Sequence, residues 1–261
     1  YLTIDPGSTG IGGIRGIDYE EGIYLGYKYY ETYWHEIAQG NTSLTTDSMT
    51  AEERQAVADE WHDFNVVYPF GFGKSYTTFS FNMGGVYKDA ALKEELSGEI
   101  DGGIFASTAT KAAEVKKLYI PVTVKNTGNT EGKKSVQIYV TAPYKAGEIE
   151  KSFVKLVGFA KTDILKPQEE QTVVVTVDVQ DVASFDYKDD NHNDFTGWEL
   201  DAGEYTFRAM DNSSVLRSQR LKTYDDASFT IQDGKGAKMV QDNFSGNEAK
   251  PLFSDKNEKD Y

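Results

Sequence analysis

Apolar and polar positions follow two different rhythms along this chain. From about residue 115 they alternate in short runs. These are Leu118–Lys125, Ser135–Thr141 (through Val136, Ile138 and Val140), Phe153–Ala160, the Val/Thr-rich Gln171–Val179, Gly203–Ala209 (through Tyr205 and Phe207) and a last short run, Ala227–Ile231. A period of two places one face of each run in a core, so each predicts a half-buried strand. Asn126-Thr127-Gly128-Asn129 is a turn signal, and Leu165-Lys166-Pro167 breaks the third run. Strands at this near-regular spacing predict a β-sandwich of immunoglobulin or fibronectin III type.

Before residue 115 the rhythm is mixed. Residues 49–64 carry the one convincing helix signal: Thr50 as cap, Glu53 three residues later to complete a capping box, and Ala56, Val57, Trp61 and Phe64 near helical spacing on a packed face. Asp59 and Glu60 are expected in solvent. Gly22–Tyr30 reads as a strand with aromatics at alternate positions, and Ser75–Phe81 as another. Val66-Val67-Tyr68-Pro69-Phe70-Gly71-Phe72-Gly73 cannot be regular helix and predicts a tight connector packed by its own rings. Residues 84–114 read as an inserted loop with a short helix at Ala90–Leu96. Residues 233–261 lose both rhythms, are charged and Gly/Asn-rich, and read as a linker or extended tail.

With 261 residues and 39% hydrophobic content there is material for one large domain or two small ones. Lys+Arg number 27 against 42 Asp+Glu, a net charge of −15 without any Lys/Arg block, which argues against nucleic acid and anionic membrane surfaces as partners. No apolar run approaches the ~20 residues of a membrane span. The absence of cysteine excludes disulfides, thiol catalysis and Cys-ligated metals. It does not assign a compartment, because many secreted bacterial proteins also lack cysteine. Tyr1-Leu2-Thr3-Ile4 has neither Met nor a signal-peptide pattern, so the chain is expected to start inside an element, as a fragment or processed product would.

Candidate chemistry is sparse. Asp18, Glu20 and Glu21 are the one acidic cluster in a Gly-rich setting, where glycoside hydrolysis could place two carboxyl groups. The plainer reading is that they are solvated or pair with Arg15 and Lys28. His35, His62 and His192 lie in unrelated segments, without H-x-x-x-H spacing or a G-x-S-x-G elbow. Gly10-Ile11-Gly12-Gly13 lacks the following helix and Lys-Ser/Thr of a phosphate loop. Within Asp186-Tyr187-Lys188-Asp189-Asp190-Asn191-His192-Asn193-Asp194, the oxygens of Asp189, Asn191 and Asn193 have the alternating spacing of a calcium loop's start. The Gly and bidentate Glu of an EF-hand do not follow, which favours a solvated hairpin loop. Trp61 is expected in the core. Trp34 and Trp198 sit in loop-like surroundings and remain open as sugar platforms, with simple packing the plainer role. No catalytic, metal-ligating or substrate-binding residue and no cofactor is assigned.

Several of these segments, taken in order, resemble the C-terminal region of glycoside hydrolase family 3. Glu21-Gly22-Ile23-Tyr24-Leu25-Gly26-Tyr27-Lys28-Tyr29-Tyr30 is similar to the family's E-G-I-x-V-G-Y-R-Y-Y. Tyr68-Pro69-Phe70-Gly71-Phe72-Gly73-Lys74-Ser75-Tyr76-Thr77-Thr78-Phe79 is similar to its Y-P-F-G-Y-G-L-S-Y-T-x-F. Asn126-Thr127-Gly128 with Gln137-Ile138-Tyr139-Val140, then Leu156-Val157-Gly158-Phe159 with Leu165-Lys166-Pro167, continue the likeness, with Gln168 where the family has Gly. Gly203-Glu204-Tyr205 resembles its closing P-G-E-Y, with Ala202 replacing Pro.

The resemblance implies a mainly β fold: a fibronectin III/immunoglobulin-like β-sandwich preceded by a remnant of an α/β sandwich domain. Residues 1–70 would be the end of the (α/β)6 sandwich domain with its helical insertion, 71–232 the fibronectin III-like domain, and 233–261 a linker or tail. The family's nucleophilic Asp lies in a barrel that this chain lacks. Its acid/base Glu lies upstream of the E-G-I segment, where this chain has almost nothing. Neither residue is carried over, so no turnover is expected from this chain alone.

The implied function is a non-catalytic C-terminal portion of a retaining β-glucosidase-like enzyme that hydrolyses terminal β-linked sugars. Its partners would be the remaining catalytic domains and their β-glucoside or oligosaccharide substrate. Some family members place the barrel after the fibronectin III-like domain, and the segment 233–261 is similar to the linker they carry. The alternatives are a free-standing carbohydrate-binding or adhesion module, and a structural spacer betrayed by an orphaned apolar face on residues 1–48.

Overall fold

The computed structural model describes residues 2–4, 14–17, 22–107, 111–217 and 224–239. Strands β1 (Leu2–Ile4) and β2 (Ile14–Ile17) pair antiparallel. Helix α1 spans Tyr27–Gln39, and α2 spans Ala51–Asn65. The strand expected at Gly22–Tyr30 is therefore corrected to a helical start. The apolar positions Tyr27, Trp34 and Ile37, with Glu31 between, lie three to four residues apart, and that period is visible only when the window runs past Tyr30. Gly40, left-handed at φ 88°, closes α1 by donating its N–H to the Glu36 and Ile37 carbonyls.

The capping box of α2 forms as expected: Glu53 N–H donates to Thr50 Oγ1 at 3.2 Å, and Thr50 N–H donates to Glu53 Oε2 at 2.7 Å. Its packed face is rotated from the expected one. Ala58 and His62 are buried, Val57 and Trp61 half-buried, and Phe64 is 86% exposed. Asp59 is not simply solvated, since it accepts from Trp34 Nε1 at 2.9 Å and Gln55 Nε2 at 3.0 Å.

Next come β3 (Phe79–Met83), β4 (Val86–Tyr87), β5 (Glu95–Leu96), β6 (Gly98–Ile100) and a 3-10 turn at Gly102–Phe105. The segment expected as an inserted loop is thus woven into the sandwich, and Ala90–Leu96 is turn and strand rather than helix. The alternating runs follow as β7 (Lys117–Asn126), β8 (Ser135–Thr141), β9 (Lys155–Lys161) and β10 (Glu170–Asp178). A short helix α3 (Val179–Val182) leads to β11 (Ser184–Asp186), β12 (Gly197–Leu200) and β13 (Gly203–Met210). The last strands are β14 (Tyr224–Ile231) and β15 (Ala237–Met239). β15 lies where a tail was expected. Residues 240–261 lie outside the described residues.

One sheet runs β10-β7-β4-β5 with β3 also on β7, and the other runs β6-β14-β13-β8-β9. Pro121 of β7 explains why β3 and β4 are separate. It has no N–H to offer a continuous neighbour, and Gly84, whose Cβ would lie 2.8 Å from Pro121 Cγ, breaks the strand opposite it. The core lies between the sheets: Leu118, Ile120, Val122 and Val124 face Val136, Ile138, Val140, Phe207 and Ile231, all buried. Asn126, buried where β7 ends, is fully satisfied. Its amide donates to the Thr130 and Leu165 carbonyls at 2.8 Å, and its oxygen accepts from Thr77 Oγ1 and Gly128 N–H.

β11, β12 and β15 form a third, small sheet whose Leu200, Ala237 and Met239 join the main core. The outer face of the second sheet is not left to solvent. Tyr139, Val154, Met210 and Val215 make a second apolar layer there, and α1 and α2 pack on it through Tyr27, Phe153 and Leu216.

Candidate functional site: an anchored aromatic connector

Residues 66–76 join the helices to the sandwich, and their inner side is pinned. Gly71 is left-handed at φ 82°, the conformation that suits glycine. Its carbonyl accepts from Gln137 Nε2 at 3.1 Å, and the same nitrogen donates to the Asp211 carbonyl at 2.9 Å. Gln137 Oε1 accepts from Tyr139 Oη at 2.8 Å, and Ser213 N–H donates to the Phe70 carbonyl at 2.9 Å. The Phe70 ring stacks on Tyr27 at 4.6 Å, and Tyr27 meets Tyr139 edge-on at 6.2 Å. Tyr27 Oη accepts from Leu156 N–H at 2.9 Å. Burial raises the Tyr27 and Tyr139 phenols above their ordinary value.

A polar clasp lies behind this connector. Glu31 of α1 accepts from Ser213 Oγ at 2.9 Å and Ser214 Oγ at 2.5 Å, and its other oxygen lies 3.2 Å from His62 Nε2 of α2. Ser214 Oγ is 3.3 Å from the same His62 nitrogen. All four residues are buried. The residue types are those of a Ser-His-acid triad, but the geometry is not. In a triad the acid and the nucleophile use opposite ring nitrogens, whereas here both meet Nε2 and His62 Nδ1 has no partner. The cluster is a structural clasp between helices and sandwich. Sequence reading missed it because its members lie up to 183 residues apart. The one available signal was that His62 falls four residues after Ala58 on the buried stripe of α2.

The outer side of the same segment is bare. Of fifteen exposed large apolar side chains among the described residues, ten fall between Ile23 and Tyr76. The most open of these ten are Tyr76, Phe64, Val67 and Tyr68, at 100%, 86%, 80% and 72% exposure. Six of these ten lie on the α2 end and connector, from Phe64 to Tyr76, and four lie between Ile23 and Leu44. Exposed large apolar side chains concentrated in one stretch of chain are a candidate place of contact. Beside it, a cleft of about 270 Å³ is lined by Tyr24, Tyr29, Tyr33, Tyr144, Glu36 and Lys151.

The residues singled out by sequence disperse. Asp18, Glu20, Glu21 and the Gly10–Gly13 run lie outside the described residues. His35 stacks on Phe153 at 4.0 Å, and burial lowers its imidazole pKa. His192 is exposed. Trp34 lies inside α1, 6% exposed, so it is core and not a sugar platform. Trp61 is half-buried among Tyr29, Tyr30 and Tyr33, and Trp198 packs edge-on against Phe185. Asp189 turns inward on its own loop, accepting the N–H groups of Asn193 and Asp194, while the amides of Asn191 and Asn193 reach Glu199. No helix among the described residues is long and apolar enough to cross a membrane.

Comparison with known proteins adds the family. A fibronectin type III-like domain matches residues 134–213. β-Glucosidase A of Butyrivibrio fibrisolvens is 32% identical over 80% of this chain and 20% of its own length. A β-glucosidase of Ruminococcus albus is 32% identical over 75% of this chain and 15% of its own. The chain thus spans about a fifth or less of these relatives. The crystal structure of a Bifidobacterium adolescentis GH3 β-glucosidase shares the fold, with a TM-score of 0.50 and 24% identity over 91% of this chain and 24% of that one. With a sandwich of two five-stranded sheets and a fibronectin type III-like match at its centre, this chain is homologous over most of its length to the C-terminal region of glycoside hydrolase family 3 enzymes.

Proposed function

We propose that this chain is a non-catalytic bracing portion of a retaining β-glucosidase-like enzyme, and that the exposed side of the connector is where the catalytic domains seat. The observation that carries the reading is the concentration of exposed rings at residues 64–76 on a backbone pinned from behind by Gln137 and the Glu31–His62 clasp. A pinned apolar surface loses little conformational freedom on docking, so its burial contributes nearly in full. The substrate of the parent enzyme would be a terminal β-linked glucoside, as the names of the relatives suggest. The domain division at about residues 70 and 232 belongs to the same proposal.

The test is nitrophenol release from an aryl β-glucoside, measured on this chain and on the longer gene product. Turnover by the longer product alone is expected, and turnover by the isolated chain refutes the reading. In the longer product, Tyr68→Ser with Tyr76→Ser should lower the melting temperature while leaving the isolated chain's unchanged. Equal melting in both settings would count against docking at this surface.

A further inference from the structure

Helix α1 has a second stripe besides the one that packs on the sandwich. Tyr29, Thr32, Tyr33 and Glu36 fall at i, i+3, i+4 and i+7 of one helix face. With Tyr24, Tyr144 and Lys151 they line the cleft of about 270 Å³ between α1 and the β8–β9 loop. At about 30 Å³ per water, that is room for about nine waters. The space suits one small ring.

The walls are tied together before anything enters. Thr32 Oγ1 accepts from Phe153 N–H at 2.9 Å, which fastens α1 to the loop. Tyr24 Oη donates to one Glu150 oxygen, and Tyr144 Oη lies 3.4 Å from the other. The Lys151 ammonium is held by Asp201. Burial first, and then the Glu150 and Glu36 carboxylates, raises the Tyr24 and Tyr144 phenols above their ordinary value. Both stay protonated, so their lone pairs remain open to a donor.

Free polar groups stand beside the rings. The Tyr29 and Tyr33 rings are parallel to within 16° at 5.7 Å, and Tyr29 is 43% exposed. Their hydroxyls make no hydrogen bond among the described residues. Glu36 Oε2 accepts from Asn41 Nδ2 at 2.7 Å, which leaves Glu36 Oε1 for a ligand.

This lining selects by chemistry. An anion is opposed by Glu36 and Glu150, since Lys151 is already neutralised by Asp201. A cation meets the Lys151 ammonium and finds Glu150 engaged by two phenols. A wholly apolar molecule would strip water from Glu36 and the hydroxyls without replacing it. A neutral pyranose meets each demand. Its C–H face lies on an aromatic ring, while its hydroxyls donate to a carboxylate and accept from a phenol. A β-glucoside does so most fully, because its ring substituents are all equatorial. Both ring faces are then C–H surfaces, and the hydroxyls form a belt at the edge.

We propose that this cleft binds one β-glucopyranosyl unit, with the sugar ring on Tyr29 and its hydroxyls held by Glu36 Oε1. The sugar class is argued from the lining alone. The choice of glucose rests on the function proposed above.

The experiment is saturation-transfer NMR of methyl β-D-glucopyranoside with the full chain, followed by titration. A dissociation constant of about 10⁻³ M is expected for a ligand of about a dozen non-hydrogen atoms, with the strongest transfer to the ring C–H protons. Tyr29→Ala should weaken binding about tenfold by removing the stacking surface. Glu36→Gln should weaken it about fivefold, since a neutral acceptor replaces a charged one while the bond to Asn41 is kept. Circular dichroism verifies that both variants fold. The proposal is overturned if neither this glucoside nor methyl β-D-xylopyranoside, also all-equatorial, binds at about ten times that concentration. Undiminished binding in both folded variants overturns it too, as does tighter binding of choline, which would make the cleft a cation site. Binding of the xyloside alone upholds a sugar site and counts against glucose. Failure to bind any sugar leaves the bracing function standing, because turnover and melting of the longer product decide that separately.

Discussion

Replacing Gly71 with alanine tests how firmly the connector is anchored. A non-glycine residue at φ 82° costs about 1 kcal/mol before any contact is counted. The added Cβ would stand 2.8 Å from Gln137 Cδ and Nε2 and closer still to Oε1, so the Gln137 side chain must withdraw. Withdrawal breaks its bonds to the Gly71 and Asp211 carbonyls and the one it accepts from Tyr139. The Gly71 carbonyl can turn to water at little cost. The Tyr139 hydroxyl belongs to a fully buried residue and cannot easily do so, which adds about 1–3 kcal/mol.

The expected loss is about 3 kcal/mol in all. Urea unfolding followed by tryptophan fluorescence reads it, because Trp34 and Trp61 lie in the helical layer that the connector holds in place. Gly73→Ala is the control: that glycine has no positive φ and nothing within 4 Å of the added carbon, so its cost should stay within about 0.5 kcal/mol. In a Gln137→Ala background, Gly71→Ala should cost only the backbone part, about 1 kcal/mol. A Gly71→Ala loss no larger than that of Gly73→Ala refutes the anchoring argument.

Two further outcomes follow from the helical layer. Glu31→Ala strands a buried imidazole and two buried hydroxyls and should cost about 3–5 kcal/mol in the same unfolding assay, with Ser214→Ala nearer 1 kcal/mol. A Glu31→Ala loss below that of Ser214→Ala would show that the clasp does not hold the helices. His35 is kept below its ordinary pKa of 6.5, first by burial and against the opposing effect of Glu36. The unfolded chain therefore binds the proton first as pH falls. The stability contributed by His35 is present above pH 6.5 and lost as pH drops through the folded value. Melting temperature should decline from about pH 7 to 5.5, and His35→Phe should flatten that decline. An identical slope in the variant would remove His35 from the account.

The sandwich was legible because a strand with one face in a core has no freedom in its spacing. Val136, Ile138 and Val140 must alternate if they are to meet Leu118 to Val124 across the sheets, so β7, β8, β10 and β13 fall where the alternation places them. The α2 cap was legible for a similar reason, since Thr50 and Glu53 satisfy each other within one turn. These are local constraints, and a local pattern records them.

Tertiary structure alone decided the rest. Helix α1 reads as a strand until its stripe finds the outer face of a sheet more than a hundred residues away, where Tyr27 meets Tyr139. Glu31, His62, Ser213 and Ser214 become a clasp only when three distant segments close on one another. The loop of Asn191 and Asn193 acquires its character from Glu199 and Asp201, carboxylates that the strand register lifts beside it. The physical reason is the same in each case. Burial and charge are properties of what surrounds a residue, and for these residues the surroundings come from far along the chain.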